Sequence, residues 1–280
     1  MIRYIILKIL PKNLLSRIIG YFAERKLPAC FVRLWIKIFQ KIYKIDMKEV
    51  ETASYKNFNE FFTRSLKKEA RPIDGNPQSI VSPVDGVIGC FGKIENNTLF
   101  QAKGISYSLQ HLVVNQEYAA LFQNGLYITL YLSPRHYHRI HCPVAGSLEE
   151  LFYIPGTLYP VNSFAVKNIP ALFTLNERLI SLIETPQAGK VAVIKVGATV
   201  VGKIKVVYDT LESNQGKKNV VSKKYQGISL EKGQELGRFQ MGSTVILLFS
   251  NPQIAFSGLE TGKEVRFGEK IATWAMENLL

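Results

Sequence analysis

Near the end of the chain, a small polar tripeptide is followed by five apolar residues, in the order Gly242-Ser243-Thr244-Val245-Ile246-Leu247-Leu248-Phe249. An apolar run of this length is typical of a strand buried in a core. Similar short runs, separated by Gly, Asn and Pro, recur from about residue 80, as in 126–132 and 191–207. We therefore expect a mostly antiparallel β domain, sandwich-like or barrel-like, over residues 71–280.

A helical region is expected before this domain, over residues 1–70, so the predicted fold class is α+β. The clearest periodic segment is 31–45. At 100° per residue its polar side chains fall within a sector of roughly 100°. These side chains are Arg33, Lys37, Gln40, Lys41 and Lys44. The remaining face is aliphatic and aromatic, which suits a helix lying in an anionic membrane interface. The alternative is a helix buried between its neighbours.

Two shorter segments also carry a local signal. Residues 58–66 are expected to form a second helix, with Asn57 or Asn59 as its cap. Residues 213–227 are polar and rich in lysine, and we expect an exposed loop there.

The basic charge is concentrated at one end of the chain. The net charge is +13 over 280 residues, and residues 1–45 contain ten Lys or Arg against the single acid Glu24. A basic end on a nearly balanced body points to an anionic partner for that end. The lysines and arginines lack the aromatic-interleaved, strand-borne pattern of a nucleic-acid site, so a membrane is the favoured partner.

The chain shows no sign of export or of membrane spanning. No apolar stretch reaches the roughly 20 residues that cross a bilayer. The apolar start is interrupted by Lys8 and Pro11, so we expect it to be retained rather than cleaved as a signal peptide. Three cysteines without a C-x-x-C spacing favour a reducing compartment.

Three of the four histidines, His136, His138 and His141, lie within six residues. Imidazole is a common metal ligand, and Cys142 is adjacent. However, no further carboxylate or histidine stands at metal-site spacing, so no metal is expected. A structural cluster beside the prolines is a second interpretation. Acid–base catalysis is the third, because an imidazole titrates near neutral pH.

Asp85 stands in the turn-like sequence Ser82-Pro83-Val84-Asp85-Gly86, where an aspartate often serves only its own backbone. An aspartate, a histidine and a serine in separate segments also compose a potential triad, in which the carboxylate orients the imidazole and the imidazole deprotonates the hydroxyl. Both interpretations of Asp85 stay open on these residues alone.

Several sequence segments, taken jointly in their order and spacing, are characteristic over nearly the whole chain. They are Phe58-Asn59-Glu60-Phe61-Phe62-Thr63-Arg64, Arg71-Pro72-Ile73-Asp74, Pro83-Val84-Asp85-Gly86, Tyr131-Leu132-Ser133-Pro134-Arg135, Tyr137-His138-Arg139-Ile140-His141 and Gly233-Gln234-Glu235-Leu236-Gly237-Arg238-Phe239. Together with Gly242-Ser243-Thr244 they resemble the phosphatidylserine decarboxylase family. The tripeptide matches the family's maturation site, although Met241 stands where the family usually has Leu. His136 also departs from the pattern, since similar bacterial members usually have Asp.

The resemblance implies that the chain matures by cutting itself between Gly242 and Ser243. The Ser243 hydroxyl would attack the Gly242 carbonyl, with His141 as base and Asp85 orienting it. Elimination and hydrolysis would leave a covalent pyruvoyl cofactor at position 243. The products would be a β chain, residues 1–242, and an α chain, residues 243–280.

The same resemblance implies the turnover reaction. The pyruvoyl ketone would form a Schiff base with phosphatidylserine and accept the electrons released with CO2, leaving phosphatidylethanolamine. His138 would handle decarboxylation or the following proton transfer. The expected location is the cytoplasmic face of the cell's inner membrane, with phosphatidylserine in an anionic bilayer as substrate. A homodimer is a further expectation from the family.

Two rival functions belong to other classes. A serine hydrolase would keep Ser243 intact, but no Gly-x-Ser-x-Gly elbow surrounds that serine. A membrane-bound lipid-binding relative would never mature. Pyridoxal phosphate chemistry would need a dedicated lysine, and no lysine stands out in the sequence.

Overall fold

The computed structural model describes residues 11–52, 54–186, 188–199, 203–240 and 243–274. Two long helices come first, α1 (Lys12–Glu24) and α2 (Ala29–Tyr43). The helix predicted over 31–45 is therefore confirmed, with a start two residues earlier and an end at Tyr43. Residues 1–10 of the predicted helical region lie outside the described residues. Among the described helices, none is long and apolar enough to cross a membrane.

Helix α2 carries three different faces along its length. Val32 and Ile36 are buried and pack with Phe61 of a later segment. A second stripe of large apolar side chains remains exposed, and it consists of Phe31, Leu34, Trp35, Ile38 and Ile42. The basic side chains occupy the third face. The apolar sector of α2 is wide because it includes both a buried stripe and an exposed stripe. The alternative of a helix buried between its neighbours accounts only for the buried stripe.

Seventeen strands and five short α-helices make up the rest of the described chain. The helices are α3 (Phe58–Phe62), α4 (Leu109–Val113), α5 (Gln116–Phe122), α6 (Ser163–Asn168) and α7 (Leu172–Leu175). The strands are β1 (Ser79–Val81), β2 (Gly86–Lys93), β3 (Thr98–Ala102), β4 (Ile105–Ser108), β5 (Leu126–Tyr131), β6 (Arg139–His141), β7 (Gly146–Ile154), β8 (Arg178–Thr185), β9 (Gly189–Val196), β10 (Ile204–Val206), β11 (Val221–Lys224), β12 (Ser229–Leu230), β13 (Glu235–Phe239), β14 (Thr244–Phe249), β15 (Ile254–Phe256), β16 (Glu264–Val265) and β17 (Lys270–Trp274).

A nine-stranded antiparallel sheet forms the centre of the molecule. Its strands run in the order β11-β7-β8-β9-β14-β5-β2-β16, with β12 also paired to β7. The apolar run that follows Ser243 becomes β14, which lies between β5 and β9 and is buried along its whole length. The described pairings end at β11 and at β16, so the sheet is open and is not closed into a barrel.

Smaller sheets and helices cover the two faces of the large sheet. One core cluster joins its inner residues, such as Val245 and Leu247, to residues of the sheets β10-β13-β6 and β1-β17-β15. A second cluster, on the opposite face, joins Ile246 and Leu248 to the short helices and the β3-β4 hairpin. The predicted α+β class is confirmed, and the arrangement on the first face is sandwich-like.

Two of the local predictions need correction. Helix α3 begins after Asn57, whose side chain accepts from Glu60 N–H, but it ends at Phe62 rather than residue 66. It ends early because the following residues pair with the segment around Val50, which bridges Leu66. The predicted loop over 213–227 contains β11. Its lysines suit an edge strand, which pairs with only one neighbouring strand and faces water on its other side.

Candidate active site

Ser243 lies immediately before β14 and is fully buried. Its hydroxyl donates a hydrogen bond to the carbonyl oxygen of Val196, the last residue of β9. Its own carbonyl oxygen accepts from Leu132 N–H at 2.8 Å. The serine is thus held between two neighbouring strands. The other half of the predicted cleavage site, Gly242, lies outside the described residues.

His138 is also fully buried, and its imidazole has one free nitrogen. Nδ1 lies 2.8 Å from the His136 carbonyl oxygen. Because a carbonyl can only accept, Nδ1 carries the proton and Nε2 is a bare lone pair. Nε2 has no hydrogen-bond partner. The ring packs against Phe62, with 4.1 Å between centroids. The pKa of His138 is held well below 6.5, and burial is the largest cause of this shift. The imidazole is therefore neutral at pH 7.

His141 differs from His138 because both of its ring nitrogens are engaged. Nδ1 donates to the Gly233 carbonyl oxygen at 2.8 Å, and Nε2 accepts from the Tyr137 hydroxyl at 3.1 Å. The ring stacks on Phe267, with 3.7 Å between centroids. Burial lowers the pKa of His141 to about 4. In the intact chain its basic lone pair is therefore occupied by Tyr137.

The Asp85 carboxylate is held by an arginine and a backbone amide. Arg71 donates to both carboxylate oxygens, at 2.9 and 2.6 Å, and Phe267 N–H donates at 2.9 Å. Arg71 also pairs with Glu49 at 2.7 Å. Asp85 is thus connected to His141 through Phe267, whose backbone binds the carboxylate and whose ring stacks on the imidazole. The direct carboxylate–imidazole hydrogen bond of a triad is replaced here by these contacts.

Among the described residues, the four predicted catalytic residues do not form one chain of hydrogen bonds. Strand β6 pairs with β13, which sets His141 opposite Glu235 and brings the His138 carbonyl to Phe239 N–H at 2.9 Å. Ser243 follows Phe239 by only a few residues. By this register, His138 is nearer than His141 to the start of β14.

His136 faces its own turn rather than a ligand. Its Nδ1 accepts from Ser133 N–H at 3.0 Å, and burial lowers its pKa to about 4. Within the described part of the chain, no three His, Cys, Asp or Glu side chains lie close enough to hold a metal ion. The described contacts of His136 are those of a structural residue.

A cavity of about 330 Å³ opens beside the strand ends that hold Ser243. Leu132, which hydrogen-bonds Ser243, lines one wall, and Thr199 lines the wall that continues from β9. Phe62, the residue that contacts His138, forms part of the opposite wall, together with Phe39 and Tyr43 of α2. The cavity thus connects the exposed apolar helix to the neighbourhood of Ser243. Phe61, in the same helix α3 as Phe62, packs instead in the core with Val32 and Ile36.

One buried polar atom beside Ser243 is free to donate a hydrogen bond. Thr244 Oγ1 is buried and has no partner in the structure. The residue belongs to β14, opposite Val196 on one side and Tyr131 on the other. A free hydroxyl next to the predicted cleavage site is a suitable donor to a developing oxyanion.

Sequence reasoning missed a buried lysine in the neighbouring strand. Lys195 of β9 is fully buried opposite Val245, and its amine donates to Ser181 Oγ at 2.5 Å and to the Val193 carbonyl at 3.1 Å. Burial lowers its pKa to about 7. The statement that no lysine stands out was therefore wrong. The only available signal was a lysine inside the apolar alternation of residues 191–196.

Comparison with known proteins shows the family of this chain. The sequence model of the family described as phosphatidylserine decarboxylase matches residues 58–273. Three similar relatives carry the name phosphatidylserine decarboxylase proenzyme. The protein of Alteromonas mediterranea is 42% identical, over 94% of this chain and 83% of its own. That of Myxococcus xanthus is 42% identical, over 95% and 96%. That of Escherichia coli O9:H4 is 44% identical, over 94% and 85%. The chain belongs to the phosphatidylserine decarboxylase family.

Proposed function

We propose that this chain is a proenzyme that converts phosphatidylserine to phosphatidylethanolamine and CO2, using a pyruvoyl group made from its own Ser243. The observation that carries the proposal is the position of this serine, fully buried at the start of the central strand β14. Relatives named as such proenzymes match over most of their length. The activity would serve phospholipid biosynthesis.

The surroundings of residue 243 fit a pyruvoyl group. Such a group supplies a ketone that binds the substrate amine and an adjacent carbonyl that withdraws the electrons released with CO2. The residue-243 carbonyl, which maturation retains, already accepts from Leu132 N–H. A fixed backbone donor at this oxygen stabilises negative charge there without reorganisation. The burial of Ser243 keeps competing water away.

Maturation is proposed to begin with attack of Ser243 Oγ on the Gly242 carbonyl, which exchanges a peptide bond for an ester. Elimination across Cα–Cβ of residue 243 then frees the Gly242 carboxylate. Addition of water to the remaining dehydroalanine releases ammonia and leaves the ketone. His141 is the proposed base and Asp85 its partner. Since Tyr137 and Arg71 engage these groups in the intact chain, both must exchange hydrogen bonds before they act.

In turnover, His138 is the proposed proton carrier. Its Nε2 is an unoccupied lone pair, and the buried ring is neutral at pH 7, so it can accept a proton from the substrate ammonium. The same nitrogen can deliver a proton to the α-carbon after CO2 leaves. The Phe62 ring beside it provides an apolar surface, which favours loss of the substrate charge.

The exposed apolar stripe of α2 is the proposed membrane surface. It lies beside the basic face of the same helix, and such a pairing suits an anionic bilayer at the cytoplasmic side of the inner membrane. Phe39 and Tyr43 at its end line the 330 Å³ cavity, so a headgroup can reach residue 243 while its acyl chains stay in the lipid. On this basis residues 1–70 form the membrane-associating region and 71–280 the catalytic domain. A homodimer is proposed from the family alone.

The first experiment is the intact mass of the purified protein under denaturing conditions, with Ser243→Ala as control. We expect two chains divided between residues 242 and 243, the shorter with a blocked N-terminus, and one uncut 31.6 kDa chain for the variant. An uncut wild-type chain that hydrolyses esters would support a serine hydrolase. An uncut chain that binds vesicles without releasing CO2 would support a lipid-binding relative.

A second variant, His138→Ala, separates maturation from turnover. It should be cut normally but release little CO2 from phosphatidylserine, because the proton carrier is missing. Full turnover by the cut variant would remove His138 from the mechanism while leaving the reaction itself in place.

A further inference from the structure

Arg64 is a buried cation without a carboxylate partner. It follows α3 by two residues and is 4% exposed. No ion pair joins it to an acid among the described residues, although the neighbouring Arg71 has two. Its Nε and Nη1 atoms are buried and make no hydrogen bond. A buried charge without a salt bridge is unfavourable, so its presence here calls for a role.

The one engaged nitrogen of Arg64 holds the turn that carries His138. Nη2 donates to the carbonyl oxygens of Arg135 and His136, at 3.0 and 3.2 Å. The His136 carbonyl is the same oxygen that accepts from His138 Nδ1 at 2.8 Å. One carbonyl therefore connects the guanidinium to the imidazole. This carbonyl fixes the tautomer of His138, because a carbonyl oxygen can only accept a hydrogen bond and Nδ1 must therefore carry the proton.

Arg64 also supplies the charge nearest to His138. Of the groups packed against this imidazole, Phe62 of α3 and Phe239 of β13 are uncharged. His136, in the adjacent turn, has a pKa lowered to about 4 and is neutral at pH 7. After burial itself, the Arg64 charge is the largest cause that lowers the pKa of His138.

The geometry argues against a direct substrate contact by Arg64. Its two unpaired nitrogens are each covered from solvent, and its engaged nitrogen points to the backbone of the 135–136 turn. Its effect on the reaction must therefore pass through the His136 carbonyl and through its field.

We propose that Arg64 is a positioning residue for decarboxylation, which holds the 135–136 turn and, through the His136 carbonyl, the tautomer of His138 that leaves Nε2 free to carry a proton. The inference rests on the proposed function, because it assumes that His138 acts in turnover. It adds Arg64, a residue that does not touch the reacting atoms, as the group that sets the tautomer of His138.

The test compares Arg64→Gln, which keeps a donor but loses the charge, with Arg64→Lys, which keeps the charge. Both are first checked for self-cleavage, which reports folding. CO2 release is then measured from pH 6 to pH 8. The wild type and the lysine variant should be flat over this range. In the glutamine variant the Arg64 charge is lost while burial still lowers the pKa of His138, so the rate should be lower than that of the wild type and should fall toward pH 6, by less than the roughly fourfold drop from pH 8 that a pKa of about 6.5 would give.

A spectroscopic measurement keeps the inference falsifiable if the glutamine variant does not fold. In ¹⁵N-histidine-labelled Ser243→Ala, assigned by comparison with the added His138→Ala change, His138 should show a neutral Nδ1–H tautomer throughout pH 6 to 8. An Nε2–H tautomer or a charged ring at pH 7 would overturn the proposal.

The outcomes also separate this inference from the proposed function. A rate and a pH profile like those of the wild type in the glutamine variant, with His138→Ala inactive, would reject the role of Arg64 and leave the role of His138 intact. Full activity of His138→Ala would instead reject the step on which both depend.

Discussion

At the scale of single residues, the reactive atoms of the site divide into those already engaged and those left free. His141 Nε2 and the Asp85 carboxylate are held by Tyr137 and Arg71. His138 Nε2 and Thr244 Oγ1 are buried without a partner. An unpaired buried polar atom is unfavourable, and at these two positions a reacting group is proposed to supply the missing hydrogen bond. These two atoms are therefore candidates to act in the intact chain.

Thr244 provides a test of this division. Thr244→Val keeps the branched shape and removes the hydroxyl, so the strand should remain intact. If Oγ1 stabilises the oxyanion at the Gly242 carbonyl, self-cleavage should slow by about 100-fold, as for other single oxyanion donors. A time course of cleavage by denaturing gel, after in vitro translation, measures the rate. Cleavage at the wild-type rate would show that backbone amides suffice.

Lys195 gives a prediction about stability and pH. Its pKa is about 7 when folded and about 10.5 when unfolded, so between these values the unfolded chain binds more protons. Stability contributed by this site therefore rises with pH across that window, and below pH 7 the full cost of a few kcal/mol is present. Lys195→Met should be more stable than its parent at pH 6.5, and the difference should shrink by pH 9.5.

Urea unfolding in the uncut Ser243→Ala background measures this effect. Lys190→Met is the matched control on the same strand β9, since Lys190 pairs with Glu149 and Glu184 and its pKa is raised. That substitution should destabilise similarly at both pH values. A pH-independent difference for Lys195→Met would mean that the folded amine stays charged over this range, with a pKa near its unfolded value, as a hydrated amine would.

At the scale of elements, α2 carries a buried face, an exposed apolar face and a basic face, and its hydrophobic periodicity alone does not distinguish all three. Hydrophobic periodicity identified the helix and its basic face, because side chains three and four apart share a side. It did not divide the apolar sector into a buried and an exposed stripe. That division depends on where α3 packs, and Phe61 of α3 contacts only the side that carries Val32 and Ile36.

The exposed stripe is the surface to test for membrane binding. Replacing Leu34, Ile38 and Ile42 together by Ser should leave folding intact, since these side chains are 54%, 49% and 65% exposed. Flotation with anionic vesicles should fall by at least about tenfold, because each buried apolar side chain contributes on the order of 1 kcal/mol or more.

The control for this experiment replaces exposed valines elsewhere. Val207 and Val220 are 49% and 48% exposed and lie far from α2 in the sequence. Their change to Ser should not affect flotation. Equal loss in both variants would indicate general destabilisation, and no loss in the α2 variant would return its apolar stripe to a packing role.

At the scale of the whole molecule, the predicted cut separates a chain end that cannot leave the fold. Residues 243–280 supply β14, the strand between β5 and β9. They also supply β16 and β17, which pair with β2 and β1, and β15, which pairs with β17. The side chains of β14 enter both core clusters. The burial of these side chains should hold the two chains together after the peptide bond between them is cut.

We therefore expect the two chains to co-elute on size exclusion at neutral pH and to separate only in denaturant. The ratio of the chains in the eluted peak, measured by mass spectrometry, should be one to one. Loss of the short chain without denaturant would show that the central strand is held less firmly than its burial implies.

The sequence by itself was sufficient for features that depend on near neighbours along the chain. The period of α2, the strand after Ser243 and the Asn57 cap are such features, because they repeat or act within a few residues. The family motifs also indicated Asp85, His138, His141 and Ser243, since their order is preserved in one dimension. Residues 221–224 were assigned to a loop because an edge strand rich in lysine lacks the apolar alternation of a central one.

Only the tertiary structure decided the state of each site residue. His141 is capped by Gly233 and Tyr137, Ser243 is bound to Val196, and Arg64 reaches the turn before His138. Most of these partners are tens of residues apart in the sequence, so no local pattern encodes them. Proton location, burial and pKa depend on which atoms meet in space. For this protein the candidate reactive residues could be predicted from the sequence, whereas their hydrogen bonds and protonation follow from three-dimensional packing.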